Sequence, residues 1–346
     1  MMPALPMLPG MSTLGAEMSR FWSLQDGSVR SAVTGMVLLG ICCGLLGCFI
    51  VLRRMSLVGD SLGHAVLPGL CVGFLVTWTK NPFWLFTGAL AAALLAGGLI
   101  AIIQRGCRLK PDVAMGLVLS GFFGTGLVLL SRIQSDPRGG QGGLNQFFFG
   151  QAAALGDADL LLIGFVTIVV LGCVVALFKE WAVFTFDEGF ALSLGIPVRR
   201  LHYLLMLLTA MSIVISIQAV GVVLLSALLI TPAATALLLT DRLPKMLAIA
   251  VGVAVAGGLA GLNLSALSGE LLVDGWELIR SPLERIGVSL PPLEVSTGLP
   301  TGPAVVLVLS TLFLVAWTFS PRYGLLQRGL RRIRQRLTPS VPPEGG

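Results

Sequence analysis

Apolar residues run in long blocks from end to end of this chain, and only short polar stretches separate them. Blocks of about 20 apolar residues have the length needed to cross a bilayer core as helices. Nine such spans are predicted, at about 33–52, 61–78, 82–103, 113–131, 160–178, 201–218, 221–239, 245–266 and 303–319. The sixth and seventh are divided on length. From Leu201 to Leu239 the only ionisable residue is His202. A single helix over that stretch would run about 58 Å, nearly twice a bilayer core. The chain must turn back, and Gln218–Gly221 is the predicted turn. If one of the two pieces is a half-helix, eight full spans remain. The fold class is therefore an all-α polytopic membrane protein, a helical bundle of eight to nine spans.

Basic residues orient the bundle, because cytoplasmic loops collect Lys and Arg. With Arg53–Arg54 inside, the inner loops hold Arg53, Arg54, Arg105, Arg108, Lys110, Lys179, Arg199, Arg200, Arg242, Lys245 and six tail arginines, sixteen of the 23 Lys and Arg. The outer segments are longer and hold seven: Arg20, Arg30, Lys80, Arg132, Arg138, Arg280 and Arg285. The asymmetry places the N-terminus outside and the C-terminus inside. It divides the chain into an extracytoplasmic segment 1–32, a transmembrane domain 33–319 and a basic cytoplasmic tail 320–346. Within the domain lie a cytoplasmic segment 179–200 and an outer acidic insert 268–297.

Composition agrees. Hydrophobic residues make up 55% of the 346 and charged residues 12%, with a mean hydropathy of +0.92. A soluble domain carries about 25% charged residues. The formal net charge is +6, and its densest source is the tail, Arg322, Arg328, Arg331, Arg332, Arg334 and Arg336. Directly after an apolar span, such a cluster reads as an anchor on anionic lipid and not as a nucleic-acid surface. Residues 1–20 lack the basic stretch and compact apolar core of a secretory signal. Of the six cysteines, Cys42, Cys43, Cys48, Cys71 and Cys173 fall inside apolar runs and Cys107 beside one. With no CxxC pair among them, neither a disulfide nor a thiolate metal site is expected. Gly40/Gly44, Gly69/Gly73 and Gly257/Gly261 have the small-xxx-small spacing that lets helix backbones approach. Among 43 glycines such pairs also arise by chance, so only the general glycine richness carries weight.

Ionisable side chains within a span are costly and default to functional candidates. One interior pair stands out, Asp60 and His64, in Gly59-Asp60-Ser61-Leu62-Gly63-His64-Ala65-Val66-Leu67-Pro68-Gly69. The i, i+4 spacing puts both on one helical face, one turn apart. A carboxylate and an imidazole so placed can share a divalent cation, and suit Mn, Zn or Fe(II) without discriminating among them. Pro68 and the flanking glycines can open the helix and free carbonyls toward a pore. Two blander readings compete: Asp60 as a helix cap and His64 as a hydrogen-bonded core residue. His202, beside Arg199–Arg200, reads as a boundary residue, and Asp112 after Pro111 as a capping position. After the fifth span, the loop from Lys179 to Arg200 holds a short amphipathic helix. Asp187 is its N-cap, Phe190, Leu192 and Leu194 are apolar, and Gly195 then Pro197 form the stop. It could rest on lipid or dock into a groove on a soluble partner. The chain has no GxxxxGK[ST] phosphate loop and no HExxH, so ATP hydrolysis must come from elsewhere if ATP drives it.

These stretches resemble the metal-type ABC importer permeases, the group serving manganese, zinc and iron. The resemblance covers about residues 30–265 and 298–325. Arg53-Arg54-Met55-Ser56-Leu57-Val58-Gly59-Asp60 through His64 to Gly69 is similar to the family's second-span signature. Phe186-Asp187-Glu188 through Phe190 to Leu194-Gly195-Ile196-Pro197 resembles its cytoplasmic coupling segment. Gln218-Ala219-Val220-Gly221 onward to Thr231-Pro232-Ala233-Ala234-Thr235-Ala236 matches a further stretch, as does Leu299-Pro300-Thr301-Gly302-Pro303-Ala304. The resemblance implies a bacterial plasma-membrane complex. Two permease subunits form the pathway. Two ABC ATPase subunits sit on the cytoplasmic side, and an extracytoplasmic metal-binding protein delivers the ion. It implies that Asp60 and His64 line the metal route, and that the metal is cargo and not a permanently bound cofactor. If the two permease subunits are a homodimer, two Asp–His pairs would supply four ligands, enough for a tetrahedral transient site. One departure is the insert 268–297, with Glu270, Asp274, Glu277, Glu284 and Glu294, where the family pattern expects a short loop. It could alter docking of the binding protein, or be a tolerated surface insertion. A secondary transporter driven by an ion gradient is the runner-up. Such folds need polar coupling residues on several helices, and these spans are nearly empty of them. An accessory membrane subunit would not need the Asp60–His64 pair.

Overall fold

Twelve helices and no strand occur among the described residues of the computed structural model, which are 22–23, 25–78, 81–107, 109–135, 155–285 and 300–320. In chain order they are α1 (Gly27–Leu52), α2 (Ser56–Ala65), α3 (Leu67–Thr77), α4 (Pro82–Cys107), α5 (Pro111–Ser135) and α6 (Asp157–Ala176). There follow α7 (Phe178–Phe186), α8 (Glu188–Ser193), α9 (Val198–Val220), α10 (Val222–Leu239), α11 (Leu243–Arg285) and α12 (Thr301–Phe319). Eight segments are long and apolar enough to cross a membrane, with α2 and α3 together forming one of them, Leu57–Thr77. The expected span not among these eight is the seventh, α10, whose 18 residues rise about 27 Å. The chain is thus an all-α polytopic membrane protein.

Helix α1 is the hub. Met36, Leu39, Cys42, Cys43, Leu46 and Phe49 are all buried along it, and α6, α9, α10 and α11 pack around it. Cys42 and Cys43 meet the hydroxyls of Ser212 and Ser216 on α9, at 2.9 and 3.3 Å. They act as small side chains that fill a helix–helix seam. Lipid tails are as apolar as leucine, so close backbone packing, not water exclusion, holds such a bundle together. The three glycine pairs supply it. A Cβ on Gly40 or Gly44 would run into the α11 backbone at Val255 or Val251. One on Gly69 or Gly73 would strike the α4 backbone at Gly88 or Trp84, and one on Gly257 or Gly261 would strike Leu309 or Val305 of α12. All three pairs therefore sit in helix contacts, which the number of glycines alone could not show.

The structure departs from the predicted pattern in four places. The second span starts near residue 57, not 61, and breaks at Val66. Pro68 has no N–H for the His64 carbonyl four residues earlier, so the helix cannot run through undisturbed. The turn between the sixth and seventh spans is a single residue. Gly221, at φ 81° and ψ 168°, joins α9 to α10 in a backbone conformation that only glycine adopts readily. The stretch before Asp187 is helical, as α7, and not loop. Helix α11 runs unbroken from the eighth span through Arg285, so the first part of the acidic insert continues the span; its 43 residues rise about 65 Å. The rest of the insert lies outside the described residues, as do residues 1–21, Arg108 and the arginine tail.

Candidate metal site and cytoplasmic segment

Helix α2 presents its polar pair on one open face. Val58, Ser61, Leu62 and Ala65 are buried, against neighbours that include α5, α9 and α10. Leu57, Asp60 and His64 fall at i, i+3 and i+7 on the opposite side. Asp60 lies in the second turn of α2, which is capped at Met55, so its carboxylate is not a helix cap. The His64 Nε2 stands 3.7 Å from the Asp60 Oδ1. The ring packs edge-to-face on Phe123 of α5, with centroids 5.0 Å apart. The His64 Nδ1 is buried and makes no hydrogen bond, so His64 is not a satisfied core residue either. Both bland readings of the pair fail on this geometry.

Sequence reasoning placed the two residues in the interior. Within one chain they are half-open, with 46% of the Asp60 side chain and 31% of the His64 side chain exposed. Among the described residues no three His, Cys, Asp or Glu side chains gather closely enough to hold a metal ion. One chain therefore offers one carboxylate and one imidazole, side by side and facing outward. Two ligands hold a first-row metal weakly, and three or four are needed for a full shell. His202 does not join the pair. It lines a separate, mostly apolar cavity of about 390 Å³ with Leu62, Gly97, Tyr203 and Ala210. Asp112 lies in the first turn of α5, where a carboxylate complements the helix dipole. The run Gly59-Asp60-Ser61-Leu62-Gly63 also spells the G-x-S-x-G pattern of hydrolases. Ser61 is buried in mid-helix, however, and not at the strand-to-helix turn that makes that serine a nucleophile.

The segment expected on the cytoplasmic side forms its short helix from local signals. The Asp187 carboxylate accepts the Phe190 N–H at 2.9 Å and caps α8. Gly195, at φ +74°, ends the helix. The Ile196 N–H donates to the Ala191 carbonyl and the Gly195 N–H to that of Leu192, the paired bonds of a glycine-terminated helix. Pro197 serves less as a stop than as the residue that opens α9. Ala191 is buried, whereas Phe190, Leu192 and Leu194 are more than half exposed. The apolar side of α8 thus faces away from the rest of the chain. Beneath it, α7 is anchored on α1. Trp181 stacks edge-to-face on Phe49 at 4.8 Å, both fully buried, a contact of about 1 kcal/mol beyond the area it covers. Arg53 completes the junction. Its guanidinium donates to the Phe184 carbonyl at 3.0 Å and to the Glu188 carboxylate at 3.2 Å, and lies 3.7 Å over the Phe184 ring. Neither the Phe123 contact nor the Arg53 junction carries a sequence signal, because the partners are far apart along the chain.

A family model described as the ABC 3 transport family matches residues 25–270. The manganese transport system membrane protein MntC of Bacillus subtilis (strain 168) is 40% identical over 319 residues, covering 92% of this chain and 67% of that protein. The zinc transport system membrane protein TroC of Treponema pallidum (strain Nichols) is 36% identical over 310 residues, covering 89% of this chain and 94% of that one. Among solved structures, PsaBC from Streptococcus pneumoniae in complex with Fab superposes with a TM-score of 0.72 at 29% identity, over 90% of this chain and 99% of its own.

Proposed function

The chain belongs to the ABC 3 transport family, and on that footing we propose which of its residues meet the metal and which meet the ATPase. It is a multi-pass membrane protein, the permease of an ABC transporter that imports divalent transition-metal ions such as manganese, zinc or iron. It is a transport protein, not a catalyst.

Asp60 and His64 contact the ion in transit. The observation that carries this reading is the pair itself: carboxylate and imidazole one turn apart, on the open face of a helix broken by Pro68. Two copies of the chain, facing each other across these helices, bring two pairs together and supply four ligands. Each chain alone leaves the shell half empty, which suits a site that must release its ion. A separate ATPase subunit hydrolyses ATP and docks on α8 through Asp187, Glu188, Phe190 and Leu194, with Gly195 and Pro197 fixing the end of that helix. An extracytoplasmic metal-binding protein delivers the ion on the opposite side. The complex sits in the bacterial plasma membrane, with the N-terminus outside and the C-terminus inside. Because carboxylate and imidazole accept several first-row ions, the pair sets no strict choice among them.

Purified complex in proteoliposomes tests the pair. Asp60→Asn and His64→Ala are expected to assemble with the ATPase and to lose ATP-dependent manganese and zinc uptake. Wild-type uptake rates in both variants would remove the pair from the route.

A further inference from the structure

From the junction at the cytoplasmic end of α1 we infer that Arg53 is a positioning residue that transmits movement of the ATPase-docking segment to the helix bearing Asp60 and His64. The inference rests on the docking role proposed for α8. Arg53 holds that segment at three points: the Phe184 carbonyl and ring on α7, and the Glu188 carboxylate at the start of α8. Only 14% of its side chain is exposed, so the grip is a packed one and not a pair of charges loose in solvent. On its other side, Arg53 is joined to the metal helix by a connector with no slack. Arg54 takes the left-handed conformation at φ 56°. The Arg54 N–H donates to the Val51 carbonyl at 3.0 Å and the Met55 N–H to that of Ile50 at 2.9 Å, and α2 begins at Ser56. Asp60 follows four residues later.

A shift of α8 that carries Glu188 and Phe184 therefore pulls on a guanidinium three residues from the start of the metal helix. A chain of packed side chains and ion pairs of this kind can carry coupling between sites. Arginine fits the task where lysine would not. Its planar fork bonds a carbonyl and a carboxylate together while its face stacks on a ring. A competing route exists through Gly195–Pro197 into α9, which also packs on α2, so the experiment must separate transmission from docking.

Wild type, Arg53→Ala, Arg53→Lys, Glu188→Gln and Phe190→Asp are compared in the full complex. Three quantities are read: ATPase retained on purification, ATP hydrolysis, and manganese taken up per ATP hydrolysed. Arg53→Ala should retain the ATPase and continue to hydrolyse ATP while uptake per ATP falls about tenfold, the usual size of a coupling between sites. Arg53→Lys and Glu188→Gln should fall by less. An unchanged ratio in Arg53→Ala overturns the inference. So does loss of the ATPase from that variant, which would make Arg53 a support of the docking surface and no more. If Arg53→Ala does not fold, Glu188→Gln decides alone, and an unchanged ratio there overturns the inference. Phe190→Asp reports separately: if it keeps the ATPase bound, the docking role itself fails, whatever the Arg53 variants show.

Discussion

At the scale of single residues, two side chains are proposed to meet the metal, and paired glycines let the helices of the bundle approach closely. The i, i+4 spacing of Asp60 and His64 was legible because helical geometry alone puts them on one face. Their half-open position was not, since it depends on which faces of α2 the packing of α5, α9 and α10 covers. The glycines show the converse case. Their spacing was visible, but its meaning depends on what stands opposite. At Gly69 a side chain would strike the backbone of Gly88, whereas at Gly172 nothing lies within 4 Å. Gly69→Leu is accordingly expected to destabilise the protein by about 1–3 kcal/mol, the usual cost of overpacking, and Gly172→Leu to leave it unchanged. Thermal unfolding in detergent checks the contrast, and equal melting temperatures for the two variants would contradict the packing described for α3 and α4.

At the scale of elements, the spans followed from hydrophobic length, and their breaks from proline and glycine. Pro68 announces the break at Val66, and Gly221 the turn into α10. Two helices escaped that logic. Phe178–Phe186 carries no internal breaker but sits between a span and a cap, so it reads as loop. The far part of α11 is too charged to read as a span, yet a helix has no reason to stop where a membrane does. Helix α8 was legible apart from the part played by Pro197, because cap, apolar positions and glycine stop are all local signals. Its exposed Phe190, Leu192 and Leu194 support the docking role. Each such side chain buried in a partner contributes roughly 1.5–3 kcal/mol, so losing one weakens docking by one to two decades. Phe190→Asp and Leu194→Asp add the desolvation of a charge. Both are expected to insert normally and to lose co-purifying ATPase. Undiminished co-purification in both would mean that α8 merely lies against lipid.

At the scale of the whole molecule, orientation and assembly decide whether the pair works as a metal site. Reporter fusions should place Arg53–Arg54 and Lys179–Arg200 in the cytoplasm and residues 268–297 outside. A cytoplasmic signal from 268–297 would require a different number of crossings. The proposed pairing of two chains rests on ligand number, since one chain provides two side chains and a full shell needs about four. X-ray absorption of the zinc-loaded complex, without its delivery protein, reads that requirement directly. It should show one zinc per two permease chains, a nitrogen and oxygen shell at about 2.0–2.1 Å, and imidazole scattering that vanishes in His64→Ala. Imidazole scattering that persists in His64→Ala, or one fully ligated zinc on each single chain, would contradict a site shared by two Asp60–His64 pairs.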